Sequence, residues 1–503
     1  MSARAVQWRL FLTCWVVFSL HFATDFVREH FLVVSMVEDH TFRLDRYKGM
    51  HADIFETPDG HSHHGANPGI SMIGAIPYFV LRPAVAWVVQ RELAAREARG
   101  DTLALYNDSR PARVEFFRAV RRQGWDIKFG LVCLITLVFC MAPLSALGAV
   151  VMFRTLNRAG LSQRLALGGA FLYALGTPIF FRTGYLNQNL AVAIFGFMAF
   201  ALLWDPGDRS PMTMSRRYLL AGFLGGLALL CDYSGGLVLG VVGVYGLLRR
   251  LDFGALSQAL RDSLWYAAGA LGPILVLWWY QWASFGHLLY PPQHYMPPDV
   301  YLSDAGYKGV VGPQADLLAA LLFDPRFGLF VTGPVLALAL AAPFLNWRKK
   351  SFVPWRETLT ALAVSLAYLL FFSMVRYTKL QYISGIRYLV PAIPFLLVLT
   401  VAVLIRLPRW IAYGLAILSF ALSWGLAMYR FQEQESSILV GLRHVFLEGF
   451  QLPAVTTLSR MAAQYAPELA HGVSPLPVFV LAGVVIWAIW RIELPALPLS
   501  EDP

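Results

Sequence analysis

The sequence predicts an all-α polytopic membrane protein with about 12–13 transmembrane helices and a large first external loop that contains interfacial helices. Three observations lead to this fold class. The chain of 503 residues is 57% hydrophobic and only 14% charged, which is more apolar than soluble proteins are. Apolar runs long enough to cross a bilayer recur along the whole chain. Arginine clusters separate these runs, as is typical of cytoplasmic loops.

The N-terminal stretch is predicted to be a first membrane helix that starts in the cytoplasm. It has a basic start and an apolar core, but ATDFVREHF follows that core in place of a small-residue cleavage site, which argues against a signal peptide. The other apolar runs predict further spans. We place the spans near 7–24, 128–153, 165–182, 189–204, 218–232, 234–248, 264–283, 327–345, 358–375, 388–406, 410–428 and 476–491.

Charge decides how the doubtful apolar run 70–89 is treated. If the N-terminus is inside and this run does not cross, the basic clusters after every second span fall in the cytoplasm, as the positive-inside rule requires. Because Pro77, Arg82 and Pro83 interrupt the run, we expect it to be interfacial or re-entrant. In an alternative layout the N-terminus is outside and 70–89 crosses, so that 25–69 lies in the cytoplasm.

The chain is predicted to form one membrane domain over 1–503, since neither a soluble domain nor a repeat is evident. The net charge of +10 comes mostly from arginine residues that cluster between the apolar runs. Because this pattern fits cytoplasmic loops better than a nucleic-acid-binding surface, we expect no nucleic-acid partner. Four cysteines lie inside apolar runs and are interpreted as small buried hydrophobes: Cys14, Cys133, Cys140 and Cys231. The layout leaves external segments at 25–127, 183–188, 284–326, 376–387 and 429–475.

Charged residues follow the first span directly, at the outer interface. Asp25 ends this span, and because an acid at membrane depth is costly it is a candidate functional residue, with a simple helix end in water as the alternative. Arg28 and Glu29 lie one helical turn later and share its face. The acids further along the loop are expected to be solvated: Glu38, Asp39, Asp45 and Asp53.

Several short motifs follow one another in order along most of the chain. They are Asp25 with Arg28 and then Met36, Glu38-Asp39 and Thr41; HGANPGISMIGAIPYFV; Gly176-Thr177-Pro178 with Tyr185; SFGHLLYPP; LLFDPRFGLFVTGPVL; and Gly385-Ile386-Arg387-Tyr388-Leu389 with Pro391 and Pro394. Together they resemble GT-C membrane glycosyltransferases, in particular the bacterial group of the lipid A aminoarabinose transferase and the protein O-mannosyltransferases. The family often has Asp-Glu after the first span, whereas this chain has Asp25-Phe26, so only the aspartate carries over.

The resemblance implies a GT-C-like fold in the cytoplasmic (inner) membrane, with an active site on the external, periplasmic face. It implies a polyprenyl-phosphate-linked sugar as donor and a hydroxyl of a glycan, lipid or protein as acceptor, with inversion at the sugar. Asp25 is then the general base and Glu29 the second catalytic candidate. Cationic side chains would stabilise the leaving phosphate. The candidates are Arg387 first, because it matches a motif, then Lys379, Arg376 and Arg28, with Lys308 and Arg326 as second choices.

The second external turn reads TGYLNQNLAV and has no acid. Metal-dependent members of the resembled family place carboxylates there, and hard divalent cations favour carboxylate oxygens. Asn187, Gln188 and Asn189 stand in their place, so we expect no cofactor, with a divalent metal as the alternative. Tyr185 and Asn189 are candidates for substrate contact, and Asp232 is either a polar turn residue or an acceptor-binding one.

Three histidines in the first loop raise the question of a metal site. His61, His63 and His64, with His51 or Asp53, could bind zinc, but adjacent histidines do not easily face one ion and no cysteine accompanies them. We expect an active-site loop that either packs over the site or contacts substrate. The turn Asn67-Pro68-Gly69 would direct this loop to the membrane surface.

Other functions remain as alternatives. A transporter or lipid flippase would predict inverted repeats and broken helices with ionisable residues at the membrane midplane, and no internal symmetry is evident. A surface-polysaccharide ligase or polymerase would need a large late external loop, and the segment 429–475, with Arg443 and His444, is of moderate length. A non-catalytic relative is the third alternative, because the second turn lacks acids.

Overall fold

The computed structural model describes residues 2–23, 27–100, 118–208, 210–252, 254–297, 304–381, 385–429, 437–463 and 466–492. Within these ranges the chain is helical apart from one antiparallel pair of three-residue strands, β1 (Ile54–Glu56) and β2 (Ser62–His64). The all-α prediction is therefore confirmed. Helical segments occupy all twelve spans that the apolar runs predict.

The α-helices are numbered here in chain order. Those of the first half are α1 (Ala3–Leu20), α2 (Arg28–Val34), α3 (Gly69–Ala98), α4 (Trp125–Thr136), α5 (Ala142–Arg158), α6 (Gln163–Leu175), α7 (Ile179–Thr183), α8 (Gln188–Trp204), α9 (Met214–Cys231) and α10 (Gly235–Leu251). Those of the second half are α11 (Leu256–Phe285), α12 (Ala315–Phe323), α13 (Leu329–Thr332), α14 (Ala342–Trp347), α15 (Trp355–Ser373), α16 (Ile393–Leu404), α17 (Arg409–Met428), α18 (Ile438–Leu447), α19 (Pro453–Ala462) and α20 (Leu476–Arg491).

Four of the described helices are long and apolar enough to cross a membrane by length and composition. They are Gly69–Ala98, Trp125–Arg158, Trp355–Ser373 and Arg409–Met428. The second of these joins α4 to α5 through a π-helical turn at Leu137–Met141, which makes it longer than the predicted span 128–153. Large apolar side chains are exposed along these helices, as expected for an integral membrane protein whose outer surface meets lipid.

Two predicted spans are broken, because proline and glycine interrupt the helical hydrogen bonds. The span 165–182 divides at Gly176-Thr177-Pro178 into α6 and α7. The span 327–345 divides into α13, a 3₁₀ helix at Pro334–Ala341, and α14. At the first break a neighbouring segment satisfies a backbone group: Ser423 Oγ in α17 donates to the carbonyl of Thr177 at 2.6 Å.

The segments predicted to be external meet at one end of the bundle. The backbone N–H of Ala23, after the first span, donates to the carbonyl of Gly184 in the second turn at 2.9 Å. Gln293 Nε2, in the loop 284–326, donates to the carbonyl of Gly65 at 2.7 Å. These contacts join parts of the chain that the charge pattern assigns to the same side.

The basic clusters meet at the opposite end. Arg158 at the end of α5 and Arg217 in α9 both pair with Asp205, at 2.9 and 3.3 Å. Arg249 at the end of α10 pairs with Glu357 at the start of α15 at 3.2 Å. The basic connections and the segments predicted to be external therefore lie at opposite ends of the bundle, as the positive-inside layout predicts.

Helix α3 runs without interruption for 30 residues, with Pro77 and Pro83 inside it. The expectation of a re-entrant segment is therefore wrong, because a re-entrant segment would turn within the membrane. Its exposed apolar side chains are spaced to form one stripe: Ile76, Phe79, Val80 and Trp87. Such a stripe is typical of a helix that lies against lipid.

Both ends of α3 contact the external end of the bundle. A Cβ on Gly69, its first residue, would lie 2.7 Å from backbone atoms of Leu230 and Cys231 at the end of α9, so only glycine permits this approach. Near its other end, Arg96 Nη2 pairs with Asp126 Oδ2 at 2.8 Å, at the start of α4. Both contact points lie at the end of the bundle opposite the basic clusters, which is the arrangement that the predicted interfacial helix requires.

The first loop is packed onto α4 by aromatic side chains. The ring of Phe31 lies 4.9 Å from that of Phe129, and Tyr47 lies 5.3 Å from Trp125. All four rings are buried. This packing holds α2 and the loop after it in place, and these segments carry several of the candidate site residues.

Candidate functional site

The first charged cluster forms around Arg28, the first residue of α2. Arg28 Nε donates to Glu29 Oε1 at 3.1 Å, and Arg28 Nη1 pairs with Asp53 Oδ2. Glu29 and Asp53 are buried, whereas the side chain of Arg28 keeps 17% of its surface exposed. The expectation that Asp53 is solvated is therefore wrong, because β1 and β2 fold the loop back so that Asp53 reaches α2.

The three neighbouring histidines of the loop do not converge. His63 and His64 follow one another in β2, so their side chains point to opposite faces. His63 packs its ring 5.1 Å from that of Phe285, and His61 Nδ1 contacts Asp45 Oδ2 at 2.9 Å. Among the described residues, no group of three or more His, Cys, Asp or Glu side chains could hold a metal ion.

The buried histidines of this loop are held in the neutral form. Burial lowers the pKa of His64 to about 3 and the pKa of His51 and His63 to about 4. His64 Nδ1 accepts a hydrogen bond from the N–H of Ala66 at 3.0 Å, and its Nε2 has no partner among the described residues. The loop thus offers buried ring nitrogens that a ligand could use.

Glu29 is ionised in this surrounding. Burial alone would raise the pKa of Glu29, but nearby positive charge, including Arg28 and Arg387, outweighs it and holds this pKa below its ordinary value. Arg387, which belongs to a distant part of the sequence, is thus one of the positive charges that act on Glu29. The same guanidinium also acts on His51.

Arg182 connects the second turn to the segment that carries Arg387. This fully buried side chain donates from Nη1 to Tyr185 Oη at 2.7 Å and from Nε to the carbonyl of Ile386 at 2.7 Å. It also donates from Nη2 to the carbonyl of Gly385. The sequence analysis missed Arg182, although an arginine inside an apolar run next to a Gly-Thr-Pro break was a usable signal.

Gly385 and Arg387 are fixed by this framework. Gly385 has φ +85°, and a Cβ there would lie 2.6 Å from the Phe181 ring, so the position requires glycine. The N–H of Arg387 donates to Gln381 Oε1 at 2.8 Å, and its guanidinium lies 5.2 Å from the Tyr388 ring. The motif residue Arg387 is therefore held at the external end, half-buried beside the first-loop cluster.

Asp232, in the turn between α9 and α10, joins the same cluster. Its Oδ2 accepts from Gln188 Nε2 at 2.8 Å, and its Oδ1 accepts from the N–H of Ser234 at 2.9 Å. The charges of Arg28 and Arg387 both act on this carboxyl. Gln188 Oε1 and both amide atoms of Asn189 are buried without a partner in the described part of the chain, so this corner retains unused hydrogen-bonding groups.

Other predicted residues lie in different surroundings. Arg376 pairs with Asp304 at 3.0 Å and Lys379 with Asp316 at 3.3 Å, both on the surface. The second-choice cations also have local partners: Lys308 Nζ donates to the carbonyl of Met296 at 2.6 Å, and Arg326 pairs with Asp324 at 2.7 Å. Asn67 Nδ2 donates to the carbonyl of Leu229 at 2.8 Å and so anchors the histidine loop on α9.

Asp25 lies outside the described residues. Ala23 is bonded to the second turn, and the N–H of Val27 donates to His30 Nδ1 at 3.0 Å at the start of α2. The four cysteines are buried, as the sequence predicts.

The chain was compared with known proteins at three levels. No family model and no curated protein matches it. A solved structure of ArnT from Cupriavidus metallidurans bound to undecaprenyl phosphate is similar to it, at 13% sequence identity and a TM-score of 0.47, over 95% of this chain and 74% of that one.

Proposed function

We propose that this protein is a membrane glycosyltransferase that moves a sugar from a polyprenyl-phosphate-linked donor to an acceptor hydroxyl at the external face of the cytoplasmic membrane. The acceptor belongs to a glycan, a lipid or a protein. The observation that carries the proposal is that the charges of Arg28 and Arg387, both partly exposed side chains, act on the buried carboxyl of Glu29 and on that of Asp232. Cations and carboxylates together suit a reaction that releases a phosphate and consumes a hydroxyl proton.

The two arginines would bind the phosphate of the donor. A guanidinium presents five N–H donors in a plane and matches phosphate oxygens in pairs. As the bond between the sugar C1 and the phosphate oxygen breaks, negative charge grows on the phosphate, and fixed guanidinium groups stabilise that charge. Arg28 is oriented by Glu29 and Asp53, and Arg387 follows directly after the backbone that Arg182 holds.

Asp25 would act as the general base. The acceptor oxygen attacks C1 from the face opposite the phosphate, which inverts this carbon, and the carboxylate takes the hydroxyl proton. Asp25 is assigned from its place after the first span and from the family resemblance. Glu29 is the alternative base, but its ion pair with Arg28 and its lowered pKa suit an orienting role better.

Uncharged polar groups would hold the sugar and the acceptor. His64 Nε2 is buried and unused within the described residues. So are Gln188 Oε1 and the amide of Asn189, whereas Tyr185 is occupied by Arg182 and Asn187. We assign the unused groups to hydroxyl recognition and Tyr185 to support of the turn. Since the donor phosphate already has arginine partners, the mechanism requires no divalent metal.

A transfer assay distinguishes this function from transport. Purified protein in vesicles is given a polyprenyl-phosphate sugar labelled on the sugar, together with an acceptor fraction from membranes. Transfer predicts label on the acceptor and free polyprenyl phosphate. Movement of intact labelled lipid between leaflets, with no cleavage, would instead support the transporter or flippase alternative.

A further inference from the structure

A cavity of about 620 Å³ lies at the opposite end of the bundle from the candidate site. The ends of α5, α8 and α10 and the start of α15 surround it. Its lining combines three arginines, Arg158, Arg249 and Arg356, with two acids, Asp252 and Glu357, and with aromatic side chains that include Trp355. The proposed transfer reaction uses none of these residues.

The surrounding surface is strongly basic. The four connections at this end, 154–164, 205–217, 249–262 and 348–357, together contain thirteen arginine and lysine residues and five acidic residues. The positive-inside rule places this end in the cytoplasm, next to the anionic head groups of the inner leaflet. Basic pockets between membrane helices on that side are suited to anionic lipid head groups.

Two of the arginines keep unused donors. Arg158 Nη1 donates to Asp205 at 2.9 Å, and Arg356 Nη1 pairs with Asp252. Their remaining N–H groups make no hydrogen bond within the described residues. Both side chains are partly exposed, at 26% and 33%, so a phosphate oxygen could reach them without displacing their carboxylate partners.

Apolar surface continues from the mouth of the cavity along the helices. Leu248 and Leu251 on α10 and Leu359 on α15 are 48%, 38% and 56% exposed. Trp355, which lines the cavity, is 49% exposed, and tryptophan is typical of the head-group level. A ligand with a phosphate and acyl chains would satisfy both the guanidiniums and this surface, whereas free phosphate would use only the guanidiniums.

We propose that this cavity binds the phosphate head group of an anionic phospholipid, with its acyl chains along α10 and α15. Arg158 and Arg356 supply the hydrogen bonds to the phosphate, and Trp355 borders the glycerol region. This site is separate from the transfer reaction, so its test does not depend on the proposed function.

Calorimetric titration of the purified full chain in detergent tests the proposal. The probes are dihexanoyl phosphatidylglycerol, dihexanoyl phosphatidylcholine and inorganic phosphate. The cavity variant is Arg158→Gln with Arg356→Gln. The matched control is Arg164→Gln with Lys350→Gln, which removes two exposed charges at the same end outside the cavity.

The wild type and the control should bind phosphatidylglycerol about tenfold more tightly than phosphatidylcholine. The cavity variant should bind phosphatidylglycerol about tenfold more weakly than the wild type. The single variant Arg356→Gln should bind phosphatidylglycerol about threefold more weakly than the wild type. It replaces the double variant if that variant does not fold, because the partner of Arg356, Asp252, is half exposed. Equal phosphatidylglycerol affinity in the cavity variant and the control would overturn the proposal. Inorganic phosphate that binds as tightly as phosphatidylglycerol would instead assign the cavity to a free anion.

Discussion

Gln188 Nε2 donates a hydrogen bond of 2.8 Å to Asp232 Oδ2. The amide stands in the second external turn, at the place where metal-dependent GT-C proteins carry acids. The carboxylate comes from the turn between α9 and α10, so a different part of the chain supplies an acid to this corner. Arg28 and Arg387 are the positive charges that act on Asp232, although burial has the larger effect on this carboxyl.

Replacing Asp232 by alanine should destabilise the protein. The change leaves the buried amide Nε2 of Gln188 without its acceptor, which costs about 1–3 kcal/mol. The measurement is the unfolding midpoint in detergent. Asp316→Ala is the control, because Asp316 is exposed and its ion pair with Lys379 is worth at most about 1 kcal/mol. Equal unfolding midpoints for the two variants would show that the hydrogen bond between Gln188 and Asp232 does not stabilise the protein.

Arg387→Gln and Arg376→Gln should have different effects on donor use. Arg387 acts on the residues of the cluster, so its loss should raise the KM for the polyprenyl-phosphate sugar about 10–100-fold. Arg376 pairs with Asp304 on the surface, so its loss should change KM by less than about threefold. Initial rates at varied donor concentration measure both. A larger effect of Arg376→Gln than of Arg387→Gln would instead place the phosphate site at Arg376.

Stability should fall as the pH is lowered from neutral. The pKa of His64 is lowered to about 3 and that of His51 to about 4, so below pH 6.5 the unfolded chain binds protons that the folded chain does not. Stability therefore rises with pH between these lowered values and about 6.5.

For His64 alone the loss between pH 6.5 and pH 5 is about 2 kcal/mol. Denaturant unfolding at pH 7 and pH 5 measures it. His64→Gln should reduce the change in the free energy of unfolding between pH 7 and pH 5. The control is His40→Gln, at an exposed position of the same loop, which should change with pH as the wild type does. An unchanged slope in His64→Gln would contradict the buried neutral histidine.

Both ends of α3 should be accessible from the external side. The native cysteines are buried, so single cysteines can be introduced at the exposed positions Asp59 and Glu97. A membrane-impermeant thiol reagent should label Asp59→Cys and Glu97→Cys in intact cells. Lys350→Cys should react only after permeabilisation. Labelling of just one of these two positions from outside would mean that the chain crosses the membrane between them, as a membrane-spanning α3 would.

The sequence predicts the helical class, the twelve helical segments and the grouping of the basic clusters, because hydropathy and charge are local signals. It does not predict that α3 continues through Pro77 and Pro83. The spacing of the exposed apolar stripe is visible in the sequence, but the contacts of Gly69 and Arg96 that anchor the helix are long-range.

The candidate site shows the same limit. Arg28, Glu29 and Arg387 are identified from position and motif, and the structure brings them together. Asp53 and Arg182 are not identified. Asp53 reaches Arg28 only because a short hairpin reverses the loop, and the partners of Arg182 are carbonyls about 200 residues away, at separations of 203 and 204. Neither of these contacts can be recognised from the residues that are near in sequence.

The central claim, transfer from a polyprenyl-phosphate sugar with Asp25 as base, is tested most directly by a transfer assay in membranes. Wild type, Asp25→Asn and the exposed-site control Asp39→Asn are compared with and without EDTA. Loss of transfer by about 100-fold or more in Asp25→Asn is predicted, with Asp39→Asn active and EDTA without effect. Asp25→Asn that transfers sugar as fast as Asp39→Asn, or wild type that stops with EDTA, would contradict the account.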